Sequence, residues 1–171
     1  MNILEIKNLS LKISDEIILK NINFELKEKE IISKEVLYDL PEWFGLPEST
    51  KEYIKDSQDK PFLACYADNE VAGFIVLNAT SKDTADIFVM GIKKKFHRMG
   101  IGTKLNTEFE NMAKNLGYSY SQVKTVKMGH YKEYDITNEF YIAMGYKELE
   151  CFPTLWDEWN PCQIYIKYLG K

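Results

Sequence analysis

Between an apolar run, Ala85–Ile92, and an amphipathic segment opening at Ile101, the chain reads His97-Arg98-Met99-Gly100-Ile101-Gly102-Thr103. A strand–Gly-x-Gly–helix junction gathers backbone N–H groups and the positive end of a helix dipole at one point, which makes an anion site. Glycine suits such a place because a Cβ would hold the backbone off a bound phosphate, although glycines also serve simply to turn a chain. No third glycine stands at dinucleotide spacing and no G-x-x-x-x-G-K-[ST] occurs. Asp86 opens the apolar run, where burial would raise its proton affinity into the range of a general base; the other reading is a solvated strand-end carboxylate. His130 lies in the polar, aromatic loop Lys127–Asp135, and an imidazole there could bind or deprotonate a substrate.

The elements that must position these groups follow from periodicity. Phe62–Ala67 and Val71–Leu77 read as a β-hairpin turning at Asp68-Asn69, and Ala85–Ile92 as a third, buried strand. Ile101, Leu105, Phe109, Met112, Ala113 and Leu116 recur at helical spacing up to Gly117, with Lys104, Glu108, Glu110 and Lys114 on other faces. Tyr118–Val126 is a strand, and Ile136, Phe140 and Met144 mark an amphipathic helix stopped by Gly145. Tyr146–Phe152 and Cys162–Tyr168 complete the strands. Upstream, Ile31–Leu40 and Glu48–Lys55 read as helices, and residues 3–13 and 17–26 as strand-like runs. The expected class is mixed α/β, a single central sheet, mostly antiparallel, flanked by helices.

At 171 residues, 45% hydrophobic and 28% charged, the composition is that of an ordinary globular domain. A formal net charge of −4 argues against a nucleic-acid partner. Apolar runs fall far short of the ~20 residues that span a bilayer, and Met1–Glu5 lacks a secretory pattern, so no membrane and a cytoplasmic location are expected. The three cysteines, Cys65, Cys151 and Cys162, and the two separated histidines imply neither a disulfide framework nor a metal site.

The stretch 86–117 resembles motif A of the GCN5-related N-acetyltransferases, the GNAT superfamily: an apolar strand, then Q/R-x-x-G-x-G/A, then a helix. Phe140-Tyr141-x-x-x-Gly145-Tyr146 is similar to that family's motif B, and the likeness covers roughly residues 31–169. His97 takes the usual Q/R place, with Arg98 beside it, and Tyr134 stands where many members have Asn. The resemblance implies acetyl-CoA as acetyl donor and an amine as acceptor. It implies a pyrophosphate on the amides of Arg98, Met99, Gly100, Ile101, Gly102 and Thr103, with His97 nearby. The backbone of Met90, Gly91 and Ile92 would pair with the pantetheine arm, and the Ile92 N–H would receive a developing oxyanion. Tyr141 would contact the cofactor and protonate the leaving thiolate, and Asp86, as in the histone-acetylating branch, would take the acceptor's proton. By the same resemblance, Trp43 and Phe44 after the first helix and Trp156, Asp157, Glu158 and Trp159 between the last strands border the acceptor. Ring faces and carboxylates there suit a small cationic amine, with a protein amine also open.

Residues 1–30 resemble instead the opening strands of an ATP-binding-cassette ATPase, without its phosphate loop. They read as a grafted segment packing on or extending the sheet of a 31–171 acetyltransferase domain. Ile22–Leu26 is expected as its first strand and residues 1–20 as an edge ribbon that invites a homodimer. The leading function is direct acetyl transfer in a ternary complex; the alternative is a non-catalytic CoA-binding regulatory or interaction module of the same fold.

Overall fold

A computed structural model describes residues 9–12, 17–21 and 26–170. In chain order the elements are β1 (Leu9–Lys12), β2 (Ile17–Asn21), α1 (Leu26–Leu37), α2 (Pro47–Asp56), β3 (Phe62–Ala67), β4 (Glu70–Ala79) and β5 (Thr84–Ile92). A 3-10 turn (Lys94–Phe96) leads to α3 (Ile101–Asn115), β6 (Tyr120–Val126), α4 (Lys132–Ala143), β7 (Lys147–Phe152) and β8 (Cys162–Tyr168). The sheet order is β1-β2-β3-β4-β5-β6-β8-β7. Of the registered pairs only β5 with β6 is parallel, so the expected class holds.

The strand paired with β3 is β2, with Ile17 opposite Ala67. Of the expected strand Ile22–Leu26, residues 22–25 lie outside the described residues, and Leu26 begins α1. Glu28, Lys29 and Glu30 favour helix, and an ion pair from Lys34 to Glu30 supports the first turns. That is why α1 starts five residues before Ile31; it also ends before Leu40.

By packing, the chain divides into residues 1–76 with 89–109, and 77–88 with 110–171. In the first unit, Asp68 and Asn69 both take positive φ, 51° and 61°, which fits a two-residue turn whose twist suits a hairpin. A Cβ on Gly73 would lie 2.6 Å from the Gly91 carbonyl oxygen, and one on Gly91 would lie 2.8 Å from Val36 Cγ1. These glycines let β4, β5 and α1 approach closely. Phe62 stacks on Phe74 at 5.1 Å within a core that includes Val36, Leu37 and Ile75.

In the second unit the β5–β6 ladder runs from Thr84 opposite Tyr120 to Ile87 opposite Val123. Tyr165 donates to Asn138 Oδ1 at 2.7 Å, while Asn138 Nδ2 donates to the Val126 carbonyl at 2.9 Å. So α4 is anchored by a buried amide rather than by the expected apolar stripe: Asn138 and Tyr141 are buried, and Ile136 is 47% exposed. Glu110, expected on a solvated face, is buried as well, with both carboxylate oxygens 2.7 Å from Lys167 Nζ.

Candidate functional site

The junction after β5 lies wholly in the first unit. Lys93 donates its backbone N–H to the Ala72 carbonyl at 2.9 Å, so by strand alternation the Ile92 amide and carbonyl point away from β4. His97 Nε2 sits 2.7 Å from that Ile92 carbonyl. A carbonyl only accepts, so Nε2 carries the proton. The His97 ring also meets Trp43 edge-on at 5.9 Å. His97 thus props the strand exit instead of simply facing an anion.

Arg98 and Gly100 adopt positive φ, 63° and 77°, turning the chain into α3. The first intrahelical bond runs from the Lys104 N–H to the Gly100 carbonyl. Among the described residues no acceptor is recorded for the N–H groups of Ile101, Gly102 and Thr103, as expected of an uncapped helix start. Nothing lies within 4 Å of where a Gly100 Cβ would stand, and Arg98, Met99 and Gly100 are exposed. A row of donors without recorded acceptors at a helix N-terminus fits a pyrophosphate. Met90 and Ile92 are half-buried.

Lysines just before this turn tie it to the segment after α1. Lys93 Nζ bonds Glu35 and lies 3.6 Å from Glu70, and Lys94 pairs with Glu42 at 2.6 Å. The Lys94 N–H donates to Asp39 at 2.7 Å. Together these fix the stretch bearing Trp43 and Phe44, whose rings are half-buried, Phe44 against Tyr53 at 5.9 Å. Sequence reading missed this lysine run, which has no local motif.

The remaining named groups belong to the second unit. Asp86 is 5% exposed, which removes the solvated strand-end reading. Its two oxygens each lie 3.0 Å from Lys124 Nζ. Burial raises the carboxyl pKa, and Lys124 and Gln122 oppose that rise. Tyr141 is buried, its ring 5.2 Å from Phe140 and 5.6 Å from Tyr146. Burial first, then Tyr146 and Asp86, push its phenol well above the usual range, so it stays protonated. No hydrogen bond is recorded for its hydroxyl among the described residues. His130 is exposed in the loop before α4, where the Gly129 N–H donates to Asp135 at 2.7 Å.

Trp156 and Trp159 are exposed, Trp159 by 75%. Asp157 is occupied differently from expectation: its carboxylate accepts from the N–H groups of Trp159 and Asn160, both at 2.8 Å, and from Asn160 Nδ2. These bonds hold its pKa down and make it the first residue of a side-chain-closed turn over 157–160. Glu158 is exposed beside it. Among the described residues no His, Cys, Asp and Glu cluster of metal-binding size occurs, and no helix is long and apolar enough to cross a membrane.

A mixed sheet whose central strand runs through a Gly-x-Gly turn into a helix whose first amides have no recorded acceptor is an arrangement suited to an anionic ligand. Residues 30–132 match the model of the acetyltransferase (GNAT) family. The chain belongs to that family. No curated protein sequence matches it, but solved structures do. An acetyltransferase of the GNAT family from Desulfovibrio desulfuricans superposes with TM-score 0.73 at 14% identity, covering 90% of this chain and 99% of its own. A GNAT family acetyltransferase from Elizabethkingia anophelis with acetyl-CoA bound gives 0.66 at 16%, covering 91% and 99%. The aminoglycoside 6'-N-acetyltransferase from Enterococcus faecium gives 0.68 at 16%, covering 90% and 97%. The ATPase resemblance of residues 1–30 is not borne out: the family match and the similar structures named above are acetyltransferases.

Proposed function

We propose that the protein transfers an acetyl group from acetyl-CoA directly to a primary amine within a ternary complex. The observation that carries the reading is the row of unpartnered amides at Ile101–Thr103 behind the left-handed turn at Arg98 and Gly100, in a chain of the GNAT family. Acetyl-CoA, when bound, supplies an activated thioester carbonyl. The chain's amides at residues 98–103 hold the pyrophosphate, each charge-assisted bond contributing roughly 1.5–3 kcal/mol. That remote binding energy is what positions the reacting end. The backbone edge of Met90–Ile92, directed away from β4 at Ile92, receives the pantetheine arm, and the Ile92 N–H steadies charge on the carbonyl oxygen.

Asp86 accepts the acceptor's proton, its burial giving the carboxylate more basicity than an exposed one. Tyr141, kept protonated and with no protein partner recorded for its hydroxyl, donates to the departing thiolate. His130, on its exposed loop, assists at the acceptor amine. Acceptor contacts are assigned to Trp43 and Phe44 in the first unit and to Trp156, Glu158 and Trp159 in the second, where Asp157 shapes the loop that bears them. The acceptor is a small cationic amine, a class that includes the aminoglycosides named for the Enterococcus faecium structure. The activity resides in residues 31–171, with residues 1–30 as an added segment.

The test is acetyl-CoA-dependent thiol release across polyamines, aminoglycosides, amino acids and lysine peptides. Release with cationic amines and its loss on Tyr141→Phe supports the reading. Release confined to neutral or acidic amines would remove the cationic acceptor.

A further inference from the structure

The Asp86 carboxylate is held by a lysine that no motif singles out. Asp86 lies opposite Gln122 in the parallel β5–β6 ladder, so Lys124, two residues on, projects from the same face of β6. Its Nζ lies 3.0 Å from each of the two carboxylate oxygens. The pair is lopsided: the Asp86 side chain is 7% exposed and that of Lys124 is 29%. The carboxylate is the more deeply buried member of the pair and the lysine side chain the more exposed one.

We infer that Lys124 is a positioning residue, which orients the Asp86 carboxylate for proton acceptance and sets the lower pH limit of amine transfer. The inference rests on the reading of Asp86 as base. A single ammonium on both oxygens fixes the plane of the carboxylate. It also opposes the effect of burial, which favours the neutral acid. The other groups acting on Asp86 are few. Gln122, opposite it in the ladder, acts in the same direction as Lys124, and Tyr141 on α4 and Cys162 on β8 interact with it electrostatically as neutral groups with raised pKa. Lys124 is thus the cation that keeps Asp86 an anion. When the acceptor amine gives up its proton, Asp86 becomes a neutral acid and Lys124 remains an ammonium, so proton and charge balance without a further reagent.

The experiment compares the full chain with its Lys124→Met, Lys124→Gln and Lys124→Arg variants, after circular dichroism has shown which are folded. Two readouts are taken: the pH dependence of kcat/KM for thiol release, and the titration of the Asp86 carboxyl carbon by NMR in aspartate-labelled protein, assigned with Asp86→Asn. In Lys124→Met, or in Lys124→Gln where the former fails to fold, both the acid limb and the carboxyl titration move up by about one pH unit or more. Activity is then about tenfold lower below the limb and recovers at alkaline pH. Lys124→Arg restores both toward the parent. A carboxyl titration that stays in place when the charge is removed overturns the inference, as does an acid limb that stays in place while the protein turns over. If the parent releases no thiol with any amine, the proposed reaction fails, whereas the NMR titration still decides whether Lys124 governs Asp86.

Discussion

His97 Nε2 lies 2.7 Å from the Ile92 carbonyl oxygen, joining the Arg98–Gly100 turn to the last residue of β5. The same ring touches Trp43, so one side chain links the strand exit, the turn and the segment after α1. Without it the turn would have to be ordered by the ligand, and that ordering would be subtracted from binding. His97→Leu is therefore expected to weaken acetyl-CoA binding by about three- to tenfold, the equivalent of one hydrogen bond of about 0.5–1.5 kcal/mol. His97→Gln, which keeps an N–H donor, loses less. Calorimetric titration with CoA checks this, and equal affinities for all three proteins would contradict it.

Two glycines of the same region separate binding from packing. Alanine at Gly100 meets no neighbour within 4 Å and costs about 1–2 kcal/mol for its left-handed backbone. Its Cβ would enter open space beside the turn proposed to hold the cofactor, so the larger loss is expected in acetyl-CoA affinity. Alanine at Gly91 puts a Cβ 2.8 Å from Val36 Cγ1 and costs about 1–3 kcal/mol by overpacking. Urea unfolding paired with CoA titration distinguishes the two. A Gly100→Ala protein that binds CoA normally would count against the cradle.

Burial pushes the Cys65 and Cys162 thiols up to about 11. At pH 8 only about one molecule in a thousand carries either as thiolate. Cys151 is half-buried. One fast-reacting thiol is expected in the native protein and three after denaturation, counted with a chromogenic disulfide. Rapid native labelling of Cys65, read by peptide mapping, would contradict the packing of β3.

Tyr141 ionises in the folded state only well above its ordinary value. Above pH 10 the unfolded chain loses that proton and the folded one keeps it, so stability falls as pH rises from about 10 toward the folded value. Tyr141→Phe is expected to flatten that alkaline decline relative to the parent while sharply reducing thiol release. Parallel alkaline limbs in melting experiments would mean that Tyr141 is not held neutral by burial.

The sheet and the Gly-x-Gly junction were legible because they rest on local signals: alternation in Phe62–Leu77, the Asp68-Asn69 turn, helical spacing from Ile101. What escaped reading depended on partners distant in sequence. Nothing in Tyr120–Val126 says that Lys124 will meet Asp86, since that needs the parallel register. Glu110 reads as a solvated helix residue until Lys167 arrives from β8, and Asn138 as a poor helix former until Tyr165 and the Val126 carbonyl claim it. The start of α1 was lost to a strand-like pattern that runs into Leu26. The turn that engages the Asp157 carboxylate is illegible as well, because it is short and carries no glycine.

The central claim is acetyl-CoA-dependent acetylation of an amine, and the most direct test is thiol release with Asp86→Asn and Tyr141→Phe in parallel. The account predicts saturable release with a cationic amine, strongly reduced in both variants, with CoA affinity retained in Asp86→Asn. Saturable acetyl-CoA binding with no release from any amine class, or release indifferent to both substitutions, would contradict it.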